Sequence, residues 1–174
     1  MDMQDILWCL RITARISFVF FLCAFAGRGL LRFWPGVFSR WLDASKRAWL
    51  FSLAASHTFH LAFIVTLAVN LGGAEFVRQV RMPTIVVGGI AYLFIYTLVL
   101  AAAFPSGPRL FQSTRFQAVG YYLLWAIFAF VFLGSVVHSL FYLPFAVAAL
   151  AGLALRIFAA TRMTEAEVMS PASR

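Results

Sequence analysis

The chain has 174 residues, 63% of them hydrophobic and 11% charged, where a soluble domain carries about 25% charged residues. That composition excludes a water-soluble globular protein, and at about 20 apolar residues per crossing the length accommodates about five membrane passes. The net charge of +8 would point to nucleic acid in a soluble chain, but here the basic residues flank apolar runs, where they set topology instead.

The expected fold is therefore all-α: a polytopic integral membrane helix bundle forming a single transmembrane domain over 1–174. The opening MDMQDILWCLRITAR is acidic first, and Arg11 and Arg15 interrupt its apolar stretch, unlike a cleavable signal peptide. Segment one is predicted over about 13–31, ending in GRGLLRFWP, where Trp34 marks an interface and Pro35 a stop. Segment two follows Lys46 and Arg47 and covers about 48–71, closing at Gly72 and Gly73. Segment three covers about 83–103, with Pro83 in the first turn and a PSGP turn after it. The last apolar block, about 117–160, would be about 66 Å long as one helix, more than twice the hydrocarbon thickness. It must fold back near Pro144, giving segments four (about 119–138) and five (about 144–161). The polar tail 163–174 is expected in the cytoplasm.

Arg28, Arg32, Arg40, Lys46 and Arg47 gather around the first connection, whereas the second holds Arg78 and Arg81 offset by Glu75. Arg109, Arg115, Arg156, Arg162 and Arg174 fall on the same side as the first group. Positive-inside counting then puts the N-terminus outside and the C-terminus inside. So little chain remains beyond the passes that a nucleotide- or flavin-binding module is not expected, and soluble chemistry must come from a partner.

No Asp or Glu interrupts a predicted segment, which removes the usual parts of proton relays and cation paths. The histidines stand out instead. His57 and His60 share one face of segment two, and His138 lies near the end of segment four. Two imidazoles from different helices can hold the iron of a porphyrin. A small residue precedes each candidate ligand by four positions, Ser56 before His60 and Gly134 before His138, so a ring could approach the backbone. Spacing leaves two readings open: haem ligation, or membrane-embedded histidines bonded to neighbours such as Ser56 or Thr58, with the small residues serving helix packing. Other features read as packing. Gly88, Gly89 and Gly152 are expected close-approach sites, also toward partner helices. Cys9 and Cys23 are expected to be inert thiols, Arg15 to snorkel or meet a backbone carbonyl, and Tyr121, Tyr122 and Trp125 to form an interfacial belt.

RITARISFVFFLCAFAGRGLLRFWP, KRAWLFSLAASHTFHLAFI and the His138 helix together resemble the ferric reductase-like transmembrane family. The nearest resemblance within it is to the haem-binding membrane subunits of bacterial periplasmic methionine sulfoxide reductase systems. Those subunits show an Arg-x-Thr-Gly start, a Pro at the helix end, a basic pair, and a His thirteen residues after the pair. Arg11, Thr13, Pro35, Lys46, Arg47 and His60 occupy those places, with Ala14 for the usual Gly. In the wider family a later helix carries two histidines thirteen residues apart, but Trp125 stands thirteen before His138. The resemblance thus implies one outer-side haem b held by His60 and His138, with His57 beside the ligand. It also implies a bacterial inner-membrane location and electron transfer with a quinone, a flavin or a partner redox subunit. The competing expectation is a cofactor-free accessory or assembly subunit that kept the fold.

Overall fold

The computed structural model describes residues 2–168, with side chains as far as Thr161. Among the described residues the chain is helical, without strands. Five helices are long and apolar enough to cross a membrane: α1 (Met3–Phe33), α3 (Lys46–Leu71), α5 (Met82–Ala103), α7 (Thr114–Val136) and α8 (Leu143–Val168). Shorter helices α2 (Val37–Ala44), α4 (Gly73–Val80) and α6 (Arg109–Gln112) join them. The chain is a multi-pass membrane protein.

The helix ends show where hydropathy falls short as a guide. α1 begins at Met3 rather than near residue 13. The Asp2 carboxylate accepts from the Asp5 backbone N–H at 2.8 Å, and the Asp2 N–H donates back to the Asp5 side chain at 3.2 Å. This reciprocal cap starts a helix well before the sequence turns continuously apolar. At the other end of α1, Pro35 ends the helix and Ser39 gathers the freed backbone. It accepts from Gly36 N–H at 2.9 Å and donates to Trp34 O at 2.7 Å. That cap opens α2, a helix within what reads in sequence as a plain connection, and α2 runs back along α1 as far as Gly27. Gly72, at φ 78°, adopts the backbone conformation glycine favours between α3 and α4. On α4, Arg78 and then Gln79 bond to Glu75 and hold its exposed carboxyl below the usual range.

The long apolar block over 117–160 divides where α7 stops at Val136 and a 3-10 turn, Leu140–Tyr142, leads into α8. Pro144 is not in the turn itself. It is the second residue of α8, where a missing N–H costs nothing. The expected polar tail falls partly on α8, whose backbone is described to Val168, and residues 169–174 lie outside the described residues.

α1 packs on α3 and α8, α3 on α5, α5 on α7 and α7 on α8, which closes a ring of five. Each helix turns one stripe inward at helical spacing. The stripes are Phe18, Phe21 and Phe25 on α1, Leu50, Leu53 and His57 on α3, Ala91, Ile95 and Leu98 on α5, and Tyr121, Leu124, Phe128 and Phe132 on α7. Phe18 bridges the ring, its centroid 4.7 Å from Phe132 and 5.6 Å from Phe128. α8 supplies Ala146, Ala149 and Gly152, and small residues let it approach α1. A Cβ at Gly29 would lie 2.8 Å from the Leu155 carbonyl oxygen, so α1 and α8 touch backbone to backbone there. Gly152 is likewise buried within the chain, so it is not a free face for a partner helix. Gly88 and Gly89, expected to pack closely, have nothing within 4 Å of where a Cβ would stand.

Adjacent passes alternate in direction, so Arg28, Arg32, Arg40, Lys46, Arg47, Arg109, Arg115 and Arg156 gather at one end of the ring, here the basic end. The histidines lie toward the opposite end.

Candidate functional site

At the end opposite the basic cluster, α1 and α3 meet through a polar ladder in otherwise apolar surroundings. Ser17 and Ser56 share a hydrogen bond of 3.0 Å, and Ser56 also reaches the Thr13 carbonyl at 3.4 Å. One turn further out, Thr13 Oγ1 lies 2.9 Å from His60 Nδ1. Thr13 and Ser17 are four apart on α1, as Ser56 and His60 are on α3, so both pairs form at one helix register.

Thr13 Oγ1 stands between two partners, 2.7 Å from the Cys9 carbonyl and 2.9 Å from His60 Nδ1, and the direction of the second contact follows the imidazole tautomer. With the threonine proton directed to the Cys9 carbonyl, His60 Nδ1–H donates and the lone pair of the neutral imidazole is on Nε2.

His57 lies three residues earlier and differs in kind. It continues the inward stripe of α3 and is 7% exposed. Its ring is 4.5 Å from Tyr92, 5.2 Å from His60 and 6.2 Å from Phe128, centroid to centroid. Tyr92 donates to the His57 carbonyl at 3.0 Å, and His57 Nδ1 is buried without a partner. Tyr96 and Thr58 share a 2.7 Å bond just below, extending the polar contacts to α5.

His138 is exposed in the turn after α7, where its backbone N–H bonds to Ser135 O at 3.1 Å. Its height follows from the Phe18 bridge. Thr13 is five residues beyond Phe18, about 7.5 Å, while His138 is eight beyond the midpoint of Phe128 and Phe132, about 12 Å. His138 thus stands roughly one turn (~4.5 Å) further out than His60. Among the described residues no hydrogen bond or ring contact joins the two histidines. Gly134 is exposed with open space at its Cβ position, so the approach to the backbone expected there is free.

The donor set was tested against a haem by what each nitrogen is free to do. His60 fits in the tautomer whose Nδ1–H donates to Thr13, since its ring is then oriented from Nδ1, as ligating histidines are, with Nε2 the nitrogen not bonded to Thr13. His138 is sterically unencumbered on a different helix, with a glycine one turn before it. Between α3 and α7, deeper in the ring, Phe18, Phe128 and Phe132 already fill the space. A porphyrin would therefore have to sit above them, toward the open end. Two apolar clefts, of about 400 and 320 Å³, touch no histidine. They lie beside Phe104 to Gln112 and beside Leu30 to Ser39.

Several partners differ from those expected in sequence. His60 bonds to Thr13 on α1, not to Ser56 or Thr58. Of the two expectations for Arg15, no backbone carbonyl bonds it among the described residues; its guanidinium extends outward over the rings of Phe141 and Tyr142, at 4.5 and 5.0 Å, and its Nε is buried without a partner. Of the expected aromatic belt, Tyr121 is buried in the core, and Trp125 donates to the Ala149 carbonyl at 2.8 Å. Cys9 and Cys23 are free and half-buried. Tyr92 and Ser17 escaped sequence reasoning, although polar residues four apart on both α1 and α3 already signalled facing stripes.

No protein-family model matches the chain, nor does any curated protein or solved structure compared with it.

Proposed function

We propose that the chain is a b-type membrane cytochrome of ferric reductase-like character, holding one haem by His60 and His138. The Thr13–His60 contact at 2.9 Å supports this reading, because a ring bonded to Thr13 through Nδ1–H would present Nε2 to an iron. When bound, the haem supplies a one-electron carrier. The chain's own residues do the rest. Thr13 aims the His60 ring, the Ser17–Ser56 pair holds α1 against α3 one turn deeper, and Gly134 leaves the approach to His138 open. Phe18, Phe128 and Phe132 form an apolar floor that keeps water from the deeper bundle. With the basic end facing the cytoplasm of a bacterial inner membrane, the haem lies toward the outer face. A haem held there would exchange single electrons with a quinol, a flavin or a partner redox subunit.

Visible spectra of the reduced protein test the reading. Wild-type protein made with ample haem should show the sharp bands of a low-spin bis-imidazole centre. His60→Ala and His138→Ala should each abolish them, because one helix cannot supply both ligands. Thr13→Val should broaden or weaken them without removing either ligand. Haem-free wild-type protein would refute the cytochrome. A second reading, a cofactor-free accessory subunit of a larger membrane complex, is favoured by the aromatic filling of the ring and would then stand.

A further inference from the structure

The basic end gathers cations that, among the described residues, form no salt bridge with a carboxylate. Lys46 Nζ lies 4.6 Å from the centroid of Tyr121, and the Arg156 guanidinium lies 5.6 Å from the same ring. Arg156 is anchored through a 3.2 Å bond from Nη1 to the Phe25 carbonyl and sits over Phe25 and Tyr122, at 4.7 and 5.3 Å. Arg28 follows Gly27, whose Cβ position lies 3.4 Å from the backbone of Asp43, three residues before Lys46. Among the described residues the one salt bridge is Arg78 to Glu75, at the opposite end.

Lys46 and Arg156, half-buried about the Tyr121 ring, repel each other with the exposed Arg28 beside them, and that cost falls when an anion joins them. Guanidinium and ammonium groups are the usual donors to phosphate oxygens. The surroundings decide what carries the phosphate. α2 packs Ser39 and Leu42 inward and turns Val37, Phe38 and Trp41 outward, and Phe33 and Trp34 are exposed next to them. That amphipathic helix, beside a basic cluster at the end of five membrane-spanning helices, has the make-up of a segment lying in the headgroup layer. Its apolar residues would be costly in water, so a free anion or a soluble acidic partner does not account for them.

We propose that Arg28, Lys46 and Arg156 form a binding site for the phosphate of an anionic phospholipid in the leaflet at the basic end, with α2 bedded in the adjoining headgroup layer. The site is independent of any haem at the other end of the bundle.

Native mass spectrometry of the full chain in mild detergent, offered phosphatidylglycerol and phosphatidylcholine in equal amounts, tests this. Phosphatidylglycerol should be retained in clear excess. The doubly substituted Arg28→Gln, Lys46→Gln protein, which leaves the anchored Arg156 in place, should lose about fivefold in retention per charge removed. Arg156→Gln should lose a similar factor, and if it fails to fold, the double variant carries the test alone. Arg78→Gln, at the opposite end, should retain phosphatidylglycerol as wild type does. Equal retention of the two lipids would overturn the proposal, as would an equal loss from Arg78→Gln. Displacement of the lipid by millimolar inorganic phosphate would assign the cations to a free anion and overturn it as well.

Discussion

Gly29→Ala tests the closest approach in the bundle. The new Cβ would lie 2.8 Å from the Leu155 carbonyl oxygen and 2.9 Å from its carbonyl carbon. Comfortable contact needs about 3.5 Å. Because the obstacle is backbone rather than the end of a flexible side chain, α1 and α8 must separate by roughly half an ångström, and such overpacking costs about 1–3 kcal/mol. Any Gly→Ala change inside a helix also gains about 1 kcal/mol of helix propensity. Gly88→Ala isolates that gain, since nothing stands within 4 Å of its new Cβ. The difference between the two variants is therefore the clash alone, about 1–3 kcal/mol in favour of Gly88→Ala. At about 2–4 °C per kcal/mol for a chain of this size, their thermal midpoints in mild detergent should differ by several degrees. Helical circular dichroism would follow the transition. Coincident midpoints, or a more stable Gly29→Ala protein, would refute the backbone contact between α1 and α8.

Phe18→Ala should cost about 3–5 kcal/mol, because it empties the bridge between α1 and α7 where Phe128 and Phe132 cannot close the gap; unfolding by detergent titration would measure it. Trp125→Phe should cost about 0.5–1.5 kcal/mol for the lost donor to the Ala149 carbonyl, and more for the packing that the smaller ring gives up, by the same assay. Tyr92→Phe should cost about 0.5–1.5 kcal/mol, since the His57 carbonyl loses its side-chain donor. A reporter fused after the last residue should be active on the side of the basic end, and strong activity on the other side would refute the charge-based orientation.

The five crossings could be read from composition alone, because a bilayer demands runs of apolar residues whose number and spacing do not depend on how helices pack. Helix ends were less visible. Asp2 and Asp5 start α1, and Ser39 opens α2, through hydrogen bonds between side chain and backbone that hydropathy does not register. The histidines are conspicuous in the sequence, but hydroxyls near them on the same helix, Ser56 and Thr58, hide the partner of His60, which comes from α1. Whether His57 or His60 faces inward depends on rotation about the helix axis. An α3 apolar almost all round carries little sign of that rotation. Gly88 and Gly89 illustrate the same gap. Adjacent glycines look like a packing site in sequence, yet the close approach forms at Gly29, which stands in a run read as an interface.

The Thr13–His60 and Ser17–Ser56 pairs also bear on how the chain assembles. Two apolar helices in hydrocarbon can slide past each other by a whole turn with little penalty, since the lipid is as good a solvent for their side chains as the neighbouring helix is. Slid by four residues one way, Thr13 would meet Ser56 and Ser17 would meet Ser52, but His60 would face Cys9. Slid the other way, His60 would meet Ser17, but Thr13 would face Ile64 and Ser56 would face Phe21. His60 and Thr13 together are thus the notch that tells one alignment from the next. Because α1 and α3 precede α5, α7 and α8 in the chain, that notch can seat them before those three are made. The duty belongs to His60 with or without iron, so loss of a cofactor would not by itself release this position from being histidine.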